Sequence, residues 1–152
     1  MGLRLALLLS LSRAWSACVC DDAALCNPLT RVPEREVFAF TTSATDYAEP
    51  DWDWNATTTV CAFMDVPNDL ICTAHAHDAR VVLGTDFDMA QAANATARSE
   101  WVRTLLATVQ DLGADGVNLD IEGNADQRDL LTELVRELSQ ALRAAILSLI
   151  HI

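Results

Sequence analysis

Residues 115–122 read Asp-Gly-Val-Asn-Leu-Asp-Ile-Glu. In an extended chain, successive side chains point to opposite faces. Asn118, Asp120 and Glu122 therefore share one face, and Val117, Leu119 and Ile121 share the other. Two carboxylates two residues apart on one face suit unequal roles. Their mutual repulsion favours keeping a proton on one of them, which can pass it to a leaving-group oxygen. The other stays ionised and orients a neighbour. That division of labour is the one used to break glycosidic bonds. Periodicity alone also allows an edge strand with solvated acids.

Such a strand needs a scaffold, and the chain alternates strand and helix patterns. Residues 36–40, 57–63, 80–83 and 116–121 are short runs rich in β-branched or aromatic residues, and predict four strands. Residues 68–78 can form a helix carrying Leu70, Ile71 and Ala74. Trp101, Val102, Leu105, Leu106, Val109 and Leu112 make one apolar stripe, with Gly113 at the left-handed position that ends a helix. A last helix begins near Asp126, where Asp126 and Asp129 sit at its positive end, and carries Leu130, Leu131, Leu134, Val135, Leu138 and Leu142. Alternation of this kind builds a parallel sheet with right-handed crossovers. A doubly wound open sheet and part of a (β/α)8 barrel both fit. In a barrel, the apolar face of residues 117–121 would pack on outer helices and the polar face would line the interior. Glu122 would stand at the carboxyl end, where barrel active sites lie.

Composition narrows the function classes. The 152 residues carry a net charge of −12, 51% apolar residues and 21% charged residues. This is a chain able to bury a core. Its excess of acids over bases argues against nucleic acid and against an anionic membrane surface. No glycine-rich phosphate-binding motif is present. Residues 1–17 read as a secretory signal peptide: Arg4, then an apolar run over 5–11, then small residues at Ala14 and Ser16. Cys18, Cys20, Cys26, Cys61 and Cys72 all follow it, and 18–35 reads as a Cys-rich N-terminal arm. In an oxidising compartment these are disulfide candidates, with one thiol left over because five is odd. There is no CxxC pair, so a metal site is not expected. Asn55-Ala-Thr and Asn94-Ala-Thr are N-glycosylation sequons.

Asp115, Gly116, Asp120 and Glu122 match the DGxxxDxE signature of glycoside hydrolase family 18, the chitinase-like hydrolases. The resemblance spans roughly residues 18–143. It implies that residues 36–152 are the N-terminal half of a (β/α)8 TIM barrel, about four βα units, in a lysosomal branch of the family. The substrate would be a chitobiose-type oligosaccharide containing N-acetylglucosamine, and no cofactor would be needed. Glu122 would be the general acid. Asp120 would orient the substrate's 2-acetamido group, whose oxygen attacks the anomeric carbon to give an oxazolinium ion. Asp115 would be a structural acid, and Asn118 would contact substrate. Many chitinases have Asp where Asn118 stands, and their Ser-x-Gly-Gly signature is replaced here by Leu83-Gly-Thr-Asp86.

A full barrel needs about 250 residues. Residues 144–152 show no turn signal and no fifth strand, so the sequence reads as a truncated form. Such a form is expected to be inactive, at most a weak sugar binder. Other residues have plainer readings. Trp101 belongs to the core. His75 and His77 sit on different sides of a helix at the surface. Asp86 and Asp88 are solvated. Trp52 and Trp54 lie in a loop the sequence does not place, and the plainer reading is preferred to stacking on a sugar ring.

Overall fold

The computed structural model describes residues 20–31, 33–42, 52–63, 66, 68–122, 125–145 and 147–151. In chain order the elements are β1 (Phe38–Thr41), β2 (Thr59–Ala62), α1 (Asn68–Ala76), β3 (Arg80–Thr85), α2 (Ala95–Leu112), β4 (Gly116–Leu119), α3 (Arg128–Ala144) and β5 (Ser148–His151). Short 3-10 turns at Ala23–Cys26, Met89–Gln91 and Ala125–Gln127 link them. The proposed leader at residues 1–17 and Cys18 lie outside the described residues.

All five strands are parallel and lie side by side in chain order. This order decides between the two architectures the sequence allowed. A doubly wound sheet reverses direction and places helices on both faces. Right-handed crossovers that always step the same way place every helix on one face, as in a barrel wall. The core agrees. Val60, Ala62, Val81, Leu83, Val117 and Leu119 from one face of the sheet pack with Leu70, Ile71, Val102, Val109, Leu138 and Leu142 from the three helices.

One expectation is corrected here. Residues 148–151 form a fifth strand, with Val117 in register with Leu149. The sequence lacked a glycine or proline turn signal before it. Instead α3 ends at Ala144, and the backbone N–H of Leu147 bonds back to the Leu142 carbonyl, closing the turn without either residue.

Local chemistry accounts for the helices. Asn94 caps α2, its side chain accepting from the N–H groups of Thr96 and Ala97. The helix ends at Gly113, whose φ of 74° is the left-handed conformation glycine adopts without strain. It starts six residues before the apolar stripe, and in these first turns Arg98 is buried, donating to the Ala92 carbonyl and to Glu137 of α3. In α3, Leu134, Leu138 and Leu142 repeat every four residues and are fully buried. Each contributes about 1.5–3 kcal/mol of burial.

Candidate active site

The face of the sheet away from the helices carries rows set by strand register. Phe38, Thr59 and Arg80 form the lowest row, and Phe40, Cys61, Val82 and Gly116 the next. Gly84 and Asn118 are paired above them. The lowest row is polar and internally satisfied. Arg80 donates to Glu36 at 2.5 Å and to Thr59 at 3.1 Å, and Thr59 donates to Glu36 at 2.6 Å.

At the carboxyl ends of the strands, Phe40, Thr42, Phe63, Asn118 and Asp120 line a cleft of about 330 Å³. Phe40 and Phe63 stack with ring centroids 5.8 Å apart. In this chain they are 49% and 39% exposed. Asn118 is 1% exposed, and its Oδ1 has no hydrogen-bond partner. A buried acceptor left unpaired costs about 1–3 kcal/mol, so its presence points to a ligand group. The Cys61 thiol lies one row below. Burial, and then the Asp120 charge, push its pKa up to about 12, so it stays neutral.

The alternation read from sequence runs past the end of the strand. Val117 and Leu119 are fully buried on the helix side, and Ile121 packs there too. Asn118 and Asp120 face the cleft. β4 itself stops at Leu119, so Asp120, Ile121 and Glu122 form the segment leaving it. The Asp120 N–H still bonds to the Thr85 carbonyl at 2.9 Å, which fixes where that segment departs. Glu122 is exposed and is not among the cleft-lining residues.

Asp115 stands at the other end of the strand, 1% exposed. Its carboxylate accepts from the backbone N–H of Leu29 (2.5 Å), the backbone N–H of Val81 (2.6 Å) and His75 Nε2 (2.9 Å). It therefore ties the N-terminal arm, β3, α1 and the foot of β4 together.

One expectation changes. His75 is not a surface residue: its side chain is fully buried beneath the arm, and only His77 is exposed. Its partners Leu25 and Asp115 are 50 and 40 residues away in sequence, so no local pattern could announce them. Trp52 and Trp54 pack on one another, and Trp54 stacks on His77. They lie before β2 and β3, at the amino ends of the strands, opposite the cleft. The aromatic rings that line the cleft are those of Phe40 and Phe63. The sequence signal for that pair was present, as aromatics at or just past the ends of two strands.

The other expected residues are spread over the surface and arm. Asp86 and Asp88 are exposed, and Asp88 caps a 3-10 turn. Trp101 packs in the core against Phe87. Cys20 and Cys72 form a disulfide, Cys26 is disulfide-bonded, and buried Cys61 is a free thiol. Asn55 and Asn94 are both exposed. Among the described residues, no cluster of three or more His, Cys, Asp or Glu side chains could hold a metal ion, and no helix is long and apolar enough to cross a membrane.

Five parallel strands in chain order among the described residues, with their helices on one face, define part of a (β/α)-barrel wall. A family model described as "Glycosyl hydrolases family 18" matches residues 80–150. Di-N-acetylchitobiase of Bos taurus is 36% identical over 128 residues, which cover 82% of this chain and 72% of that protein. Di-N-acetylchitobiase of Rattus norvegicus is 36% identical over 155 residues, covering 96% of this chain and 41% of that protein. Probable di-N-acetylchitobiase 2 of Dictyostelium discoideum is 34% identical over 131 residues, covering 84% and 34%. The chain belongs to glycosyl hydrolase family 18. It spans about a third to two fifths of the length of the rat and Dictyostelium relatives. No solved structure matches it.

Proposed function

We propose that the protein carrying this sequence is a chitobiase-like glycosidase that releases N-acetylglucosamine from chitobiose-type oligosaccharides. The observation that supports it best is the unpartnered, buried Oδ1 of Asn118 beside Asp120 in an aromatic cleft. A sugar ring has the apolar face and the hydroxyl and amide donors that such a lining accepts.

Glu122, as the carboxylic acid, gives its proton to the glycosidic oxygen as the bond to the anomeric carbon breaks. The substrate's acetamido oxygen forms the new bond to that carbon, and the positive charge moves onto the acetamido group as an oxazolinium ion. Asp120 holds the acetamido N–H and stabilises this charge. Water then adds at the anomeric carbon as the bond from that carbon to the acetamido oxygen breaks and the neutral acetamido group re-forms; the water gives its proton to the Glu122 carboxylate, which restores the acid. This substrate-assisted route departs from the usual two-carboxylate scheme. Asp115 acts in it only by holding the foot of β4. No cofactor takes part.

The disulfide Cys20–Cys72 supports a route through an oxidising compartment. With the proposed signal at 1–17 and sequons at Asn55 and Asn94, this points to the secretory pathway and the lysosome. Nucleic acid and membranes are not proposed partners.

The test is release of N-acetylglucosamine from a chitobiose-type substrate at acidic pH by the protein expressed with its own leader. Glu122→Gln lowers turnover at least about a hundredfold, the scale of a lost general acid. Unchanged turnover in that variant removes Glu122 from the mechanism. A second reading, a non-catalytic sugar binder, is favoured by the exposure of Glu122 outside the cleft. Saturable binding of the sugar by the 152-residue chain, with no product released, would support it.

A further inference from the structure

The residues beneath the arm impose a condition on His75 that hydrogen-bond valence alone reveals. His75 Nδ1 lies 2.6 Å from the Leu25 carbonyl oxygen, which can only accept. Its Nε2 lies 2.9 Å from Asp115 Oδ2, and that carboxylate already accepts from two backbone N–H groups. Both ring nitrogens therefore face acceptors. A neutral imidazole has one N–H and one lone pair, so it satisfies only one of them. Only the doubly protonated ring fits this pocket.

We propose that His75 is a pH-sensitive latch, which holds the N-terminal arm against the foot of β4 while both ring nitrogens carry protons and loosens it when one is lost. Few other charges surround the ring. From the arm, Asp21 and Asp22 are exposed, and Arg31 pairs with Asp78 at the surface. From β3, Arg80 is engaged with Glu36 on the opposite face of the sheet. Asp69 on α1, and His77 just past its end, are exposed. Asp115 is the charged group in contact with the ring.

Burial by itself disfavours the charged ring. The hydrogen bond and charge of Asp115, with the Leu25 carbonyl, outweigh it and leave the His75 pKa above its ordinary value. A group whose pKa is raised on folding adds stability below its unfolded value, near 6.5. That stability is lost as pH rises through the folded value. The arm is therefore held while the ring is doubly protonated and released as pH rises through the raised pKa of His75. The Cys20–Cys72 disulfide keeps the released arm tethered to α1. The latch is independent of the sugar chemistry, so it stands or falls without reference to turnover.

The test is nitrogen-15 NMR of the imidazoles between pH 5 and 8.5. The chain has three histidines, and a His75→Gln variant assigns the signals. The expected result is that His75 keeps both protons to a pH above 6.5 and then loses one. The wild-type melting temperature falls across the same range by more than that of His75→Gln, because only the wild type loses the stability carried by the second ring proton. Asp115→Asn lowers the pH at which His75 titrates. A His75 that is singly protonated throughout, or that titrates at or below 6.5, overturns the proposal. If His75→Gln does not fold, His77→Gln and His151→Gln assign the other two signals, and the wild-type titration of His75 still decides.

Discussion

The ring of Phe63 lies across Gly84: a Cβ on that glycine would stand 2.6 Å from Phe63 Cδ1 and within 2.8 Å of two other ring atoms. Gly84 is in register with Asn118, so the ring reaches toward the site because its strand neighbour has no side chain. One missing methyl group on β3 therefore sets the position of an aromatic wall on β2.

Gly84→Ala is expected to drive the Phe63 ring out of this position. The ring is 39% exposed and can swing toward solvent, so the stability cost falls at the lower end of the overpacking range, about 1 kcal/mol. Sugar affinity drops more than stability does. Chemical denaturation and calorimetric titration with a chitobiose-type ligand measure the two effects separately. Wild-type affinity in this variant would show that the ring does not shape the cleft.

Asn118→Leu tests whether the unpaired Oδ1 is kept for a ligand. Leucine has a similar volume and carries no buried polar atom. Removing an unsatisfied acceptor relieves its desolvation cost, so the variant is expected to equal or exceed wild type in stability, by up to about 1–3 kcal/mol. Sugar binding is expected to fall at least about tenfold, the loss of one hydrogen bond to a substrate group. A marked loss of stability would mean that the oxygen has a structural partner.

Cys61 is expected to resist alkylation in the folded protein. Its thiol is buried, with its pKa pushed up to about 12 by burial and then by the Asp120 charge. The nucleophile is the thiolate, which is then a negligible fraction at pH 8. Mass spectrometry after treatment with iodoacetamide is expected to show no label on Cys61 without denaturant and full label in guanidinium chloride. Rapid labelling of the native protein would mean that β2 is open to solvent.

Cys20→Ser with Cys72→Ser removes a link between residues 52 apart. Chain-entropy arguments put the cost at about 4 kcal/mol. Because the disulfide joins the arm to α1, the loss is expected to be accompanied by faster hydrogen exchange at Leu25 and Leu29. Equal exchange in both proteins would show that Asp115 and His75 hold the arm unaided.

Much of this molecule is written in local pattern. The stripes of α2 and α3, the glycine that ends α2 and the alternation of residues 117–121 each depend on near neighbours, and all are read directly from the chain. The signature Asp115, Gly116, Asp120 and Glu122 is legible too, through its resemblance to a family. What sequence could not supply is pairing over distance. Strand order chose a barrel wall over a doubly wound sheet, and the backbone turn after Ala144 allowed a fifth strand. Burial moved His75 from the surface to a pocket formed by Leu25 and Asp115, while Phe40 and Phe63 rather than Trp52 and Trp54 reached the cleft. Those outcomes depend on contacts between residues tens of positions apart, whose energies have no trace in local periodicity.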